Sequence, residues 1–260
     1  MTRIEQTFNR LRKSDETALI SYIMAGDPSP EATKRFVSQL EESGTDIIEL
    51  GVPFSDPLAD GPAIQRAHER ALQKGITLKK VIALVKEVRQ VSQIPIILMT
   101  YYNPVFKFGL EAFAKEAAES GVDGVIIPDL IPDEAHDFLT LARHHNIDTI
   151  FLLAPTSTLE RIKKVVKASA GFIYYVSITG ITGATLSVGD TMKDTLKLIK
   201  SNTGKPVAVG FGISNPEEAA EISKLAEGVI VGSAIVRRIA EGKDITEFVK
   251  NIKEGLGVRG

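Results

Sequence analysis

Two carboxylates set the chemical question. In residues 48–62, IELGVPFSDPLADGP, an apolar run ends on Glu49-Leu50-Gly51 and breaks into a loop of Gly, Pro and Asp that carries Asp60. A carboxylate inside an apolar run is costly unless it is paired or protonated, and desolvation raises its pKa. Glu49 therefore reads either as a proton-transfer group or as a structural carboxylate bound to a neighbouring amide or hydroxyl. Asp60 has an alternative too, as a cap for a helix starting near Pro62. Asp56, ahead of Pro57, reads as a turn residue.

The groups that are missing narrow the chemistry further. The chain has no cysteine, so disulfides, thiolate metal sites and a Cys nucleophile are excluded. Its four histidines are His68, His136, His144 and His145. All four fall in helical patterns away from strand ends, which argues against a His base or a His metal centre. No apolar run ends in a lysine able to form a Schiff base, and Lys205 precedes its run rather than following it. Carboxylates, Tyr, Ser and Thr remain. They suit proton transfers on a substrate that stabilises its own intermediate.

Those side chains need a frame. Eight short runs, at 18–24, 46–50, 95–100, 124–128, 149–153, 172–176, 206–209 and 228–231, are rich in Ile and Val with little alternation. Strands buried on both faces have that pattern. Amphipathic segments separate them, at 32–42, 78–91, 110–120, 133–144, 159–167, 191–201, 216–225 and 235–241. Further helices are expected at 5–13, 62–74 and 245–254. Helix starts are marked by Asp27-Pro28-Ser29-Pro30-Glu31, Ser157-Thr158-Leu159-Glu160 and Ser214-Asn215-Pro216-Glu217. Eight strand–helix units in 260 residues predict an α/β chain folded as one (β/α)8 TIM barrel, spanning 1–260, with extra N-terminal and C-terminal helices. An open doubly wound sheet would have fewer strands and a GxGxxG turn after the first, which is missing.

In such barrels the reacting groups lie at the C-terminal strand ends and on the loops that follow. Glu49 falls there. So do Gly212, Gly232 and Ser233 after the last two strands, joined by Gly183 from the sixth loop. Backbone amides at these positions can take a phosphate, because glycine allows close approach; the alternative is that the glycines only turn the chain. Hydrophobic residues make up 43%, charged residues 25%, and the net charge is -2. That balance gives no electrostatic case for nucleic acid or an anionic membrane. The first residues, MTRIEQTFNRLRKSDE, lack the apolar core of a signal peptide, and no run approaches the ~20 residues of a membrane span. A cytoplasmic protein is expected.

The segment ELGVPFSDPLADGPAIQ, residues 49–65, resembles the signature of the tryptophan synthase α family. The similarity extends over nearly the whole chain, through Gly26-Asp27-Pro28, Tyr102-Asn103-Pro104, Pro128-Asp129-Leu130, Gly180-Ile181-Thr182-Gly183, Gly210-Phe211-Gly212-Ile213-Ser214 and Gly232-Ser233-Ala234-Ile235-Val236. The resemblance implies retro-aldol cleavage of indole-3-glycerol phosphate to indole and glyceraldehyde 3-phosphate. Protonated at C3, the indole ring is its own electron sink. By the same resemblance Glu49 is the acid at C3 and the base for the side-chain hydroxyl, and Asp60 accepts the indole N–H and stabilises the developing positive charge. Tyr174 would stand near the substrate, facing the same side as Phe172 and Val176, with Tyr175 turned to the helices.

The resemblance further assigns Gly183, Phe211, Gly212, Gly232 and Ser233 to the phosphate. Tyr22, Met99, Ile126 and Leu152 match an indole pocket, although each apolar one fits plain barrel core as well. Pro53, Asp56, Pro57 and Thr182 match the lid and the partner interface. The implied partner is a tryptophan synthase β subunit in an α2β2 assembly, which holds pyridoxal phosphate; this chain is expected to carry neither cofactor nor metal. Two positions depart from the family pattern. Thr185 stands where many relatives have Arg, and Ile178 where some do. A free-standing indole-releasing lyase and a non-catalytic, partner-activating subunit are the rival readings.

Overall fold

Every strand pairing in the sheet is parallel, so all C-terminal strand ends gather on one rim. The computed structural model describes residues 1–177, 189–210 and 212–257. In chain order its elements are α1 (Arg3–Lys13), β1 (Ala18–Met24), α2 (Pro30–Glu42), β2 (Ile47–Gly51), α3 (Pro62–Gln73), α4 (Leu78–Val88), β3 (Ile96–Met99), α5 (Tyr102–Phe108), α6 (Leu110–Glu119), β4 (Gly124–Ile126) and α7 (His136–His144). There follow β5 (Asp148–Ile150), β6 (Leu152–Leu153), α8 (Leu159–Ala168), β7 (Ile173–Val176), α9 (Asp190–Ser201), β8 (Val207–Gly210), α10 (Pro216–Ser223), β9 (Gly228–Val231), α11 (Ser233–Ala240) and α12 (Thr246–Leu256).

The strands form one sheet in the order β5-β4-β3-β2-β1-β9-β8-β7-β6. The expected fifth strand is interrupted at Phe151. Its first part, β5, pairs with β4, and its second, β6, pairs with β7. One short run therefore holds both edges of the sheet and brings them together into a nearly closed barrel. The missing alternation of the runs now has its cause. Inward-facing Ile20, Ile47, Ile97, Ile126, Ile150, Phe172 and Ile230 fill the barrel. Outward-facing Leu19, Ile48, Leu98, Val125, Val209 and Val229 lie under the helices. Both faces of each strand are dry.

The N-terminal helix closes the bottom. Ile4, Phe8 and Leu11 of α1 enter the interior cluster, and the Phe8 and Phe172 rings lie 5.6 Å apart. Each such buried side chain contributes about 1.5–3 kcal/mol. Thr2 caps α1 in a capping box with Glu5, and its hydroxyl donates to Asp148 Oδ2 at 2.7 Å. Salt bridges Arg3–Asp123 at 2.9 Å and Arg10–Asp46 at 2.8 Å hold the helix on either side. The marked helix starts are N-capped at Ser29, Thr158 and Asn215. One expectation is corrected: α7 begins at His136 rather than at 133, and the short helix α5 between β3 and α6 is an addition to the expected elements.

Helix α3 matters most for the rim. Pro62 opens it at the first helical position, and small residues Ala63, Ala67 and Ala71 face inward, letting it lie close against β1 and α11. Arg70 on α3 forms a two-pronged bond to Asp27 after β1, at 2.8 and 2.6 Å. A planar guanidinium on a carboxylate fixes orientation as well as distance.

Candidate active site

Glu49 occupies the middle of β2 and points into the barrel. It stands in register with Tyr22 of β1 and Ile97 of β3, and only 1% of it is exposed. Its Oε2 has no hydrogen-bond partner among the described residues. At that atom no amide or hydroxyl holds the group as a structural carboxylate would be held. Burial pushes the Glu49 carboxyl up to about 8, and the nearby Asp60 charge adds to the effect. At neutral pH the group therefore carries a proton that it can give away.

Asp60 lies on the loop between β2 and α3 and is turned inward, its side chain 5% exposed. It does not cap α3; the N-cap is Gly61, with no side-chain cap. Instead Asp60 Oδ2 accepts from the Tyr101 hydroxyl at 2.9 Å and lies 3.1 Å from His68 Nε2. The Tyr101 hydroxyl in turn accepts from the Ala59 amide at 3.0 Å, and the Tyr101 ring stacks on Phe54 at 4.9 Å. Two side chains thus converge on one oxygen of Asp60, while Oε2 of the buried Glu49 meets none among the described residues. That division lets a pair of like groups take different roles.

Tyr22 and Tyr174 complete the rim. Tyr174 faces the interior with Phe172, while Tyr175 belongs to the cluster beneath the helices, as the strand alternation predicts. Burial raises both the Tyr22 and Tyr174 hydroxyls, with Asp60 and Glu49 adding to the first and Glu49 and Asp60 to the second. Glycines make room for both rings. A Cβ on Gly51 would collide with the Tyr22 hydroxyl, and one on Gly210 would stand 2.6 Å from the Tyr174 ring and hydroxyl. Met99 and Leu152 pack on the interior cluster, and Ile126 lies within it.

On the far side of the rim, Gly232 is the N-cap of α11 and Ser233 its first residue, with no side chain capping the helix. The first amides of α11 are therefore open to an anion. Gly232 also lets Tyr22 approach, since a Cβ there would stand 3.3 Å from that of Tyr22. Gly212 is exposed with nothing within 4 Å of where a Cβ would be, so packing does not demand a glycine there. Phe211, Thr182 and Gly183 lie outside the described residues, as do Ile178 and Thr185. Among the described residues no group of three or more His, Asp or Glu could hold a metal ion.

Residues 8–256 match the family model described as tryptophan synthase alpha chain. The tryptophan synthase alpha chain of Geotalea uraniireducens is 51% identical over 262 residues, covering 98% of each chain. The chain belongs to the tryptophan synthase alpha chain family. Solved structures agree. Subunit alpha of Legionella pneumophila tryptophan synthase superposes with a TM-score of 0.90 at 37% identity, over 98% of both chains. A Mycobacterium tuberculosis tryptophan synthase chain superposes with a TM-score of 0.92 at 40% identity, over 100% of this chain and 99% of that one. Among the described residues no helix is long and apolar enough to cross a membrane.

Within this tryptophan synthase alpha fold, Pro53 is buried while Asp56 and Leu58 are exposed at the loop tip. Asp56 makes the expected turn: its carbonyl accepts from the Leu58 amide at 2.9 Å and its carboxylate from Ser55 at 2.6 Å. Two residues of the site are not among the candidates that the sequence offers. His68 falls in a helical pattern, yet α3 delivers its ring to Asp60; its legible signal is its place beside Ala67 on the inward face of that helix. Tyr101 follows the third apolar run, and nothing in its neighbours' types points to Asp60.

Proposed function

We propose that this chain catalyses the retro-aldol cleavage of indole-3-glycerol phosphate to indole and glyceraldehyde 3-phosphate, with Glu49, Asp60 and Tyr174 in the active site. The observation that carries the reading is the buried, inward-facing Glu49 carboxyl, whose Oε2 meets no partner among the described residues, near an Asp60 held by Tyr101 and His68. Glu49 protonates C3 of the indole ring, and the ring nitrogen becomes cationic. The Asp60 carboxylate accepts the N–H and stabilises that charge. Glu49, now ionised, takes the proton from the hydroxyl on the adjacent side-chain carbon. The C–C bond breaks, its electrons restore the aromatic ring, the hydroxyl carbon becomes the aldehyde, and Glu49 ends protonated as it began. Tyr174 borders the reacting carbon; Tyr22, Met99, Ile126 and Leu152 surround the ring.

The open amides of α11 at Gly232 and Ser233, with Gly212, Phe211 and Gly183, hold the phosphate. The barrel works as one domain in the cytoplasm, in an α2β2 assembly with a tryptophan synthase β subunit. That partner holds the pyridoxal phosphate, and this chain needs no cofactor for its half of the chemistry. Loop 53–60, with Pro53, Asp56 and Pro57, and Thr182 form the lid and the partner face; Leu58, 92% exposed at the loop tip, supports a docking role. The test is indole release from indole-3-glycerol phosphate with and without a β subunit, together with gel filtration of the mixture. Release that rises with β, and co-elution, support the subunit reading. Release unchanged by β with separate elution favours a free-standing lyase, and no release even with β favours a non-catalytic subunit.

A further inference from the structure

We propose that His68 is a positioning residue for Asp60: its neutral imidazole, fixed as the Nε2–H tautomer by the Phe54 amide, holds the Asp60 carboxylate toward the substrate and makes that orientation depend on loop 53–60. The inference rests on the assignment of Asp60 to the indole nitrogen.

The tautomer follows from the bonds. Phe54 N–H donates to His68 Nδ1 at 3.0 Å, so Nδ1 carries a lone pair. A neutral ring must then bear its proton on Nε2, the atom 3.1 Å from Asp60 Oδ2. His68 and Tyr101 both bond to Oδ2, and among the described residues no hydrogen bond reaches Oδ1. That oxygen is left for a cationic ring nitrogen. His68 is 3% exposed, so water has little access to replace a lost donor, and the loss of a bond to a buried charge is felt in full.

The imidazole is held from behind by α3, which is fixed by the Arg70–Asp27 fork and the buried face of Ala67 and Ala71. It is held from the front by the loop. Phe54 and Ala59, near the two ends of loop 53–60, donate their amides to the two groups that hold Asp60. Gln65 on α3 adds a bond to the Asp60 carbonyl at 2.8 Å. When the loop moves, the Phe54 amide leaves Nδ1, the tautomer is no longer fixed, and Asp60 loses a directed donor.

Three substitutions separate the functions of the ring. In His68→Gln the amide nitrogen reaches about as far as Nε2 and keeps the donor to Asp60. In His68→Asn the side chain ends near Nδ1 and keeps only the acceptor for Phe54. His68→Leu keeps neither. Indole release from indole-3-glycerol phosphate is measured with the β subunit present, alongside Asp60→Asn. The expected result is a kcat loss of about tenfold to a hundredfold for Leu and Asn, with KM within about threefold and Gln within about threefold of wild type, because a hydrogen bond to a charged group acts on the charged transition state. Adding His68→Leu to Asp60→Asn should cost nothing further. If Gln falls as far as Leu, the role is structural and the inference is overturned; it is equally overturned if all three keep wild-type kcat while Asp60→Asn loses it. If the Leu variant does not fold by circular dichroism, the Asn and Gln pair decides, a low Asn and a high Gln supporting the inference and equal values overturning it. Wild-type kcat in Asp60→Asn overturns the assignment of Asp60 itself, and this inference with it.

Discussion

Glu49 should weaken the fold that it serves, and by an amount that depends on pH. Its carboxyl ionises at about 8 in the folded chain against an ordinary 4.5. Between those values the unfolded chain has lost the proton and the folded chain has kept it, so stability falls as pH rises. The slope is about 1.4 kcal/mol per pH unit. Below about pH 4.5 the stability contributed by the protonated form is fully present; above about 8 it has been lost. The gap of about 3.5 pH units corresponds to about 5 kcal/mol at alkaline pH, and to about 3 kcal/mol at pH 7. Glu49→Gln is neutral throughout and nearly isosteric, so it escapes this penalty. Its amide brings a desolvation cost of its own, about 1–3 kcal/mol if unpaired, which shifts the whole curve but not its slope. Urea denaturation of both proteins at pH 5, 6, 7 and 8 measures the difference. The variant should gain on the wild type with every unit of pH and level off above about 8. Parallel stability curves across that range would refute a protonated, unpartnered Glu49.

Three further outcomes follow from single contacts. Gly210→Ala puts a methyl 2.6 Å from the Tyr174 ring; overpacking of that kind costs about 1–3 kcal/mol, and steady-state kinetics should show turnover reduced with the fold retained by circular dichroism. Tyr101→Phe removes one donor from Asp60 and the acceptor of the Ala59 amide, so kcat should fall about tenfold and the Ala59 amide should exchange faster with deuterium. Thr2→Ala removes the α1 cap and the bond to Asp148; it should cost about 1–2 kcal/mol in thermal denaturation while activity per folded molecule stays at the wild-type level.

The parts of this fold that are repeated were legible, because burial on both faces and amphipathic spacing recur eight times. The break at Phe151 was not: β5 and β6 are continuous in sequence, and only closure of the sheet assigns them to different neighbours. Glu49 could be read from a carboxylate in an apolar run. Asp60 could not be separated from a helix cap by its residue type, since Asp ahead of Gly-Pro fits both; its inward turn is decided by Tyr101 and His68, which come from other elements. His68 falls in a helical pattern away from any strand end, and its direction is set only by the tight seat of α3. Gly51 and Gly210 carry no signal of their own in the sequence, yet each makes room for the tyrosine ring facing it.

The most direct test of the two-carboxylate mechanism separates binding from chemistry. Indole-3-glycerol phosphate is titrated calorimetrically into wild type, Glu49→Gln and Asp60→Asn, and each mixture, with β present, is then followed for released indole. The mechanism predicts that Glu49→Gln binds the substrate as well as wild type and releases no indole, and that Asp60→Asn binds and releases it far more slowly. Wild-type release by Glu49→Gln would contradict it.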